Sequence, residues 1–274
     1  MSHSPDKVSA HYAREDIAGA ILGELERSGT GPATVESLGP YDEFHIRGRE
    51  ATEALLEAAG FQSGMAVLDV GCGIGGPARF LAARAGCQVT GIDLTEDFCQ
   101  AAERLTAAAG LKERVAIRQG DALAMPFADA SFDGAWMLHA AMNIPDKAAL
   151  YAEIGRVLKP GAVFAGYEIH KGAGEAVLYP VPWADEPSIC HLIGPEDWRS
   201  HLERAGFAVE SWRRLTEPAA AWFAASHARI ESGEANTFGL RLIMGPNFQD
   251  KVANMARNTA ENRVAVIEAI CRRR

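Results

Sequence analysis

The chain has 274 residues, 48% of them apolar and 23% charged, with a net charge of −9. That length buries a large core and suits one α/β domain with an insertion or a cap, and the composition excludes a disordered chain. Its one basic run is Arg272-Arg273-Arg274, which argues against a general nucleic-acid binder, because phosphate contacts need clustered Lys and Arg.

Five scattered cysteines (Cys72, Cys87, Cys99, Cys190, Cys271) have no C-x-x-C spacing. Neither a disulfide framework nor a zinc site is indicated, and no metal is expected. The first residues lack an apolar h-region and no apolar stretch is long enough to span a bilayer. A cytoplasmic protein without stable membrane insertion is the expectation.

Residues 14–27 place Ile17, Ile21, Leu22 and Leu25 on one helical face, broken by Ser28-Gly-Thr-Gly-Pro32. A second helix is predicted over 48–59, stopped by Gly60. Between them, Leu38-Gly-Pro-Tyr-Asp-Glu-Phe-His-Ile-Arg47 reads as a loop rich in aromatic and ionisable groups. Short apolar runs then predict strands at 66–70, 88–92, 114–119, 132–138 and 162–169, with helices near 75–85, 95–109 and 146–157 between them. Residues 171–194 hold Tyr179, Pro180, Pro182, Trp183 and Pro187 and read as a long loop. A helix starts at Pro195, strands follow at 207–212 and 263–271, and 218–258 is helical in pattern. The expected fold class is α/β: a doubly wound, mainly parallel seven-stranded Rossmann-like sheet, with N-terminal helices and a helical lid inserted before the last strand. In domain terms, 1–63 would be a helical cap, and 64–274 the main domain with loop 171–194 and lid 218–258.

Val67-Leu-Asp-Val-Gly-Cys-Gly-Ile-Gly-Gly76 is an apolar strand running into a glycine turn. Gly71, Gly73 and Gly76 have the G-x-G-x-x-G spacing, and Asp93 follows Gly71 by 22 residues, which alone is the dinucleotide fingerprint. Asp69 changes that reading. A carboxylate at the mouth of the turn is a poor neighbour for a pyrophosphate and a good one for a ligand carrying an ammonium and a sulfonium. Asp93 and Asp121 fall at the next two strand ends, so the three acids should share one groove outside the sheet. Asp93 is placed to accept from two ribose hydroxyls, and Asp121 from an adenine amino group beside Leu94 and Ala122. Capping of the following helices is the alternative for either acid alone.

Val67–Gly76, Gly91-Ile-Asp93, Gly120-Asp121-Ala, Phe127-Ala-Asp-Ala-Ser-Phe-Asp133 and Leu158-Lys-Pro-Gly161 resemble, in order, class I S-adenosylmethionine-dependent methyltransferases. The resemblance covers about residues 64–170. It implies S-adenosyl-L-methionine as cofactor and S-adenosyl-L-homocysteine as product, with Asp69, Gly71, Cys72, Gly73, Asp93, Leu94, Asp121, Ala122 and His139 around it. Gly75-Gly-Pro-Ala-Arg-Phe-Leu81 resembles the first helix of sterol and tocopherol methyltransferases. Tyr41-Asp-Glu-Phe-His45, Met142-Asn-Ile-Pro-Asp-Lys147 and Pro180-Val-Pro-Trp-Ala184 are similar to enzymes assigned to sarcosine or dimethylglycine N-methylation.

Methyl transfer is an in-line displacement that depends on positioning and water exclusion. His139, after the fourth strand, is the candidate base, or a group that only shapes the pocket. Tyr41, His45, Asn143, Tyr167, Glu168 and Trp183 are the candidate acceptor residues. Tyr167 and Trp183 would form an aromatic wall or simply pack, and Glu168 would attract an amine or pair with an arginine. Arg47 and Arg241 would clamp a carboxylate if the acceptor is an amino acid, with surface solvation the safer assignment for Arg241. The lid would bring Met244 and Phe248 to the cleft or pack them within itself. The favoured acceptor is a small molecule, a glycine-type amine. The alternatives are O- or C-methylation of a natural-product or lipid-like molecule, and, from other classes, a nicotinamide oxidoreductase or a non-catalytic cofactor-binding protein.

Overall fold

A computed structural model describes residues 5–13, 16–234 and 237–274. All the predicted strands are present: β1 (Ala66–Val70), β2 (Gln88–Asp93), β3 (Val115–Gln119), β4 (Phe132–Leu138), β5 (Leu158–Lys171), β6 (Phe207–Arg214) and β7 (Val264–Arg273). They form one seven-stranded sheet in the order β3-β2-β1-β4-β5-β7-β6. The first five run parallel to their neighbours, and β7 enters antiparallel between β5 and β6. The sheet reverses direction of winding between β1 and β4, so the turns after β1, β2 and β4 open on one crevice.

The helices are α1 (Pro5–Tyr12), α2 (Ile17–Ser28), α3 (Val35–Asp42), α4 (Gly48–Ala59), α5 (Gly76–Ala85), α6 (Glu96–Ala108), α7 (Lys147–Val157), α8 (Pro195–Arg204), α9 (Thr216–Glu231), α10 (Phe238–Met244) and α11 (Phe248–Ala260). Residues 14 and 15, where the first predicted helix begins, lie outside the described residues. Two departures from expectation concern the N-terminal part. Helix α1 precedes the predicted helix, and α3 occupies half of the predicted 38–47 loop. Gly39-Pro40 reads as a breaker, yet Thr34 and Ser37 form a reciprocal capping box that starts a helix through it.

Strand alternation sorts the core. In β1, Val67 joins Leu55, Ala78 and Leu81 on one face of the sheet, while Leu68 and Val70 join Leu150 and Ile154 on the other. Burying each such Leu, Ile or Val contributes roughly 1.5–3 kcal/mol, so both faces of this strand are committed. A third cluster joins Ile21 and Leu25 of α2, Leu38 and Tyr41 of α3, Leu105 of α6 and Ile243 of α10. The lid helices α9 and α11 pack on each other and on β7.

One ion pair ties the N-terminal helices to the sheet. Arg79 on α5 is fully buried and donates to Asp42 Oδ2 at 2.6 Å and to the Ile74 carbonyl at 2.9 Å. Its other amino group reaches Thr106 Oγ1 at 3.2 Å on α6. No helix among the described residues is long and apolar enough to cross a membrane.

Candidate functional site

The turns at the β1, β2 and β3 ends are bonded to one another. Gly71 and Cys72 donate their N–H groups to the Ile92 carbonyl at 2.8 and 3.1 Å, and Gly120 donates to the Asp93 carbonyl at 2.9 Å. Gly71 has φ +71°, and a Cβ there would lie 2.4 Å from the Ala140 Cβ in the turn after β4. Glycine is required by both backbone and space. Around these turns lies a cavity of about 890 Å³, toward the upper end of the range for drug-sized ligands.

Gly71, Cys72, Gly73, Asp93, Leu94, Asp121, Ala122 and His139 all line this cavity. Asp93 takes the Gly73 N–H on Oδ2 and the Thr95 N–H on Oδ1, both at 2.9 Å. Burial pushes its carboxyl above the usual range, and these two donors pull back. The bonds fix the carboxylate at the wall of the cavity. Asp121 Oδ1 accepts from Leu123 N at 2.8 Å. Local turn capping and exposure to the cavity therefore coexist in both acids.

Asp69 does not line the cavity. It lies behind the glycine turn, 2% exposed, with Oδ2 buried and without a hydrogen-bond partner. Burial, reinforced by the nearby Asp93 charge, pushes its carboxyl up to about 8, against the indole of Trp136, its register neighbour on β4.

His139 sits at φ +51°, a backbone conformation that costs a side-chain-bearing residue energy. Its main-chain N–H and its Nδ1 both meet the Tyr167 carbonyl, at 2.9 and 2.7 Å, and its ring stacks on the Tyr167 ring with centroids 4.6 Å apart. A carbonyl only accepts, so Nδ1 carries the proton and Nε2 is the lone pair. Nε2 is buried without a partner. Burial, then the neighbouring His45, drives the ring down to about 3.

The acceptor candidates divide. Trp183, His45 and Asn143 line the cavity, whereas Tyr41, Tyr167 and Glu168 do not. Tyr41 is buried against Phe238 of α10, centroids 6.0 Å apart. Tyr167 backs His139 from the core. Glu168, on the opposite face of β5, is fully buried and accepts from Ala140 N and Ala141 N at 3.1 Å each. Asn143 spends its amide on structure, donating to the Trp183 and Ile189 carbonyls and accepting from Tyr12 Oη at 2.9 Å. Of the two proposed clamps, Arg47 lines the cavity and pairs with Glu50, while Arg241 lies over the Phe248 ring away from it. Met244 reaches the cavity and Phe248 packs in the lid.

Sequence reasoning named His45 but missed the cluster it joins between α3 and α4. Thr52 donates to Glu43 Oε2 at 2.6 Å, Arg49 pairs with Glu43 Oε1, and His45 Nε2 lies 3.0 Å from both Thr52 Oγ1 and the Gly48 carbonyl. Burial raises Glu43 to about 7 and lowers His45 to about 4. Also unforeseen are Val8 and Tyr12 of α1 and Trp222, Phe223 and Met255 of the lid, which wall the cavity. Only the four-residue spacing of α1 and the helical pattern of the lid hinted at them.

Residues 68–166, which carry the glycine turn and the acid after the second strand, match the family described as "Methyltransferase domain". Over 114 residues the chain is 43% identical to a sterol 24-C-methyltransferase of Gibberella zeae, covering 42% of this chain and 30% of that one. It thus spans about a third of the length of the curated relatives it matches, a rice 24-methylenesterol C-methyltransferase included. Among solved structures, a protein of Galdieria sulphuraria assigned as a sarcosine dimethylglycine methyltransferase superposes with TM-score 0.67 at 21% identity, over 93% of this chain and 98% of that one. Geranyl diphosphate C-methyltransferase of Streptomyces coelicolor does so with TM-score 0.71 at 15% identity, over 98% of each chain. These likenesses establish the shared fold.

Proposed function

We propose that the protein is an S-adenosyl-L-methionine-dependent C-methyltransferase acting on an apolar, lipid-like small molecule. The observation that carries this reading is the apolar wall of Ile46, Ile169, Trp222, Phe223, Met244 and Met255 in the cavity that also takes the cofactor. Such a wall suits a hydrocarbon body far larger than a glycine derivative. The sequence favoured a glycine-type amine, but the sterol C-methyltransferase relatives support the C-methylation alternative better.

The residues present fit the cofactor. The open backbone at Gly73 and the doubly anchored Asp93 carboxylate suit a ribose diol, whereas Asp69, sealed behind the turn, does not reach the ligand space. Leu94 and Ala122 offer an apolar slot beside Asp121. When bound, S-adenosyl-L-methionine supplies an electrophilic methyl group on a sulfonium.

His139 then meets the acceptor as a neutral ring with its proton fixed on Nδ1. A base lowered to about 3 is poorly matched to an ammonium, whose proton is held many orders of magnitude more tightly. It is sufficient for the acidic C–H beside a carbocation. An alkene carbon that gains a methyl leaves positive charge on its neighbour; loss of the adjoining proton to Nε2 restores the double bond. The faces of Trp183, Trp222 and Phe223 can stabilise that charge. Arg47 and Arg49 are already paired with Glu50 and Glu43, which weakens the case for a carboxylate clamp.

The test is to incubate the full-length protein with methyl-labelled S-adenosyl-L-methionine and a panel of sterols, prenyl alkenes, sarcosine and dimethylglycine, then read products by mass spectrometry. Label on carbon of an alkene substrate is the expected result. Label on sarcosine or dimethylglycine, with none on any alkene, overturns the proposal.

A further inference from the structure

The turn that carries His139 and Ala140 to the cavity is held from behind by two buried side chains of opposite charge. Glu168, on the face of β5 turned away from the cavity, accepts the N–H groups of Ala140 and Ala141 on separate oxygens. Lys147, at the start of α7 and only 4% exposed, donates Nζ to the carbonyls of Ala141 and Ile144. Ala141 is therefore gripped at both its N–H and its carbonyl. Burial pushes Glu168 up and Lys147 down, and each pulls the other back toward its charged form.

Burying an acid and an ammonium is costly, and such pairs are a poor general source of stability. What this pair secures is geometry. Residues 139–144 include a left-handed His139, a conformation that persists only where its surroundings over-determine it. On the cavity side, the Ala140 Cβ occupies the space that Gly71 leaves open. A small shift of the turn would move Ala140 into or away from the glycine turn and would swing Nε2 of His139.

We propose that Glu168 and Lys147 are a positioning pair that locks the turn at 139–144, fixing His139 and Ala140 in register with Gly71. The inference rests on the reading of Gly71 and His139 as parts of a methyl-transfer site. Neither Glu168 nor Lys147 touches the cavity, so both act through the backbone they hold. The carboxylate suits this task because it presents two acceptors to two consecutive N–H groups; an amide offers one acceptor and turns a donor toward the other N–H.

The experiment compares wild type with Glu168→Gln in the full-length protein, using three readouts: calorimetry with S-adenosyl-L-homocysteine, ¹⁵N NMR of the His139 ring, and thermal melting. In wild type, His139 shows one tautomer, protonated on Nδ1. In Glu168→Gln, affinity for S-adenosyl-L-homocysteine falls at least tenfold and the His139 ring nitrogens move toward the values of exchanging tautomers. Lys147→Gln shifts both readouts the same way and carries the test if the first variant fails to fold. A folded variant with unchanged affinity and an unchanged His139 signature overturns the proposal even if it melts earlier, since a purely stabilising role would give that result. If wild type does not bind S-adenosyl-L-homocysteine at all, the cofactor reading fails. The His139 signature then still decides whether the pair positions the turn.

Discussion

Replacing Asp93 with alanine tests the cofactor end of the cavity most directly. Each carboxylate oxygen already accepts one backbone N–H at 2.9 Å, so the side chain is oriented before any ligand arrives. Two hydroxyls donating to it would form charge-assisted hydrogen bonds worth about 1.5–3 kcal/mol each. Taking the lower end, Asp93→Ala forfeits about 3 kcal/mol, or roughly a hundredfold in affinity for S-adenosyl-L-homocysteine. The freed N–H of Gly73 faces the cavity, where water can satisfy it, so little of this loss should be recovered or added there. Asp93→Asn retains one acceptor and should lose about tenfold. Calorimetry on the ligand-free protein measures both, with a melting curve to confirm folding. A folded Asp93→Ala protein that binds within about threefold of wild type would remove the ribose role from this residue.

Gly71→Ala must place a Cβ 2.4 Å from that of Ala140 at φ +71°; the left-handed backbone alone costs about 1–2 kcal/mol, so at least tenfold weaker S-adenosyl-L-homocysteine binding is expected by the same calorimetry. His139→Asn keeps a residue tolerant of the left-handed backbone and removes the ring; turnover should fall by about 10²–10⁴ while ligand affinity changes by less than about threefold, and equal losses in both would make His139 a binding group. Asp69 gives a pH prediction. Its folded-state affinity for protons is raised to about 8, so between the unfolded value near 4 and pH 8 the native state holds the extra proton, and stability falls as pH rises through that window. Asp69→Asn lacks this dependence. Its advantage over wild type in urea titrations should grow by on the order of 1 kcal/mol per pH unit from pH 5 to 8; a constant difference across that range would mean that Asp69 is ionised in the fold.

The cavity wall around the glycine turn was legible because its determinants are local. A glycine turn, an acid at a strand end and an apolar residue beside it are short-range features, and strand order follows once crossovers are right-handed. The rest of the cavity wall depends on contacts far apart in sequence. Tyr41 looks like a loop aromatic until Phe238, in α10, is seen against it. Glu168 and Tyr167 are adjacent, so one must face away from the other; the sequence did not say which, and the α7 face received the acid. Residues 38–42 read as loop because Gly39-Pro40 lies inside the helix that Thr34 and Ser37 cap. Asn143 had the chemistry of a substrate ligand and is consumed by Tyr12, Trp183 and Ile189, partners that lie 131 residues before it and 40 and 46 residues after it.

The Asp42–Arg79 pair has a bearing on how acceptor choice could diversify. Both partners are almost wholly sealed from water, one on a helix that borders the cavity and the other on the helix that follows the glycine turn. A segment exchange that brought in the first 63 residues of another protein without a matching acid would strand the arginine, at a cost of about 3–5 kcal/mol. Residues 1–63 are thus a poor graft and a good substrate for point replacement. Selection for a new acceptor would be expected to work by resizing side chains such as Val8 and Ile46 around a retained acid, with the helices themselves inherited intact.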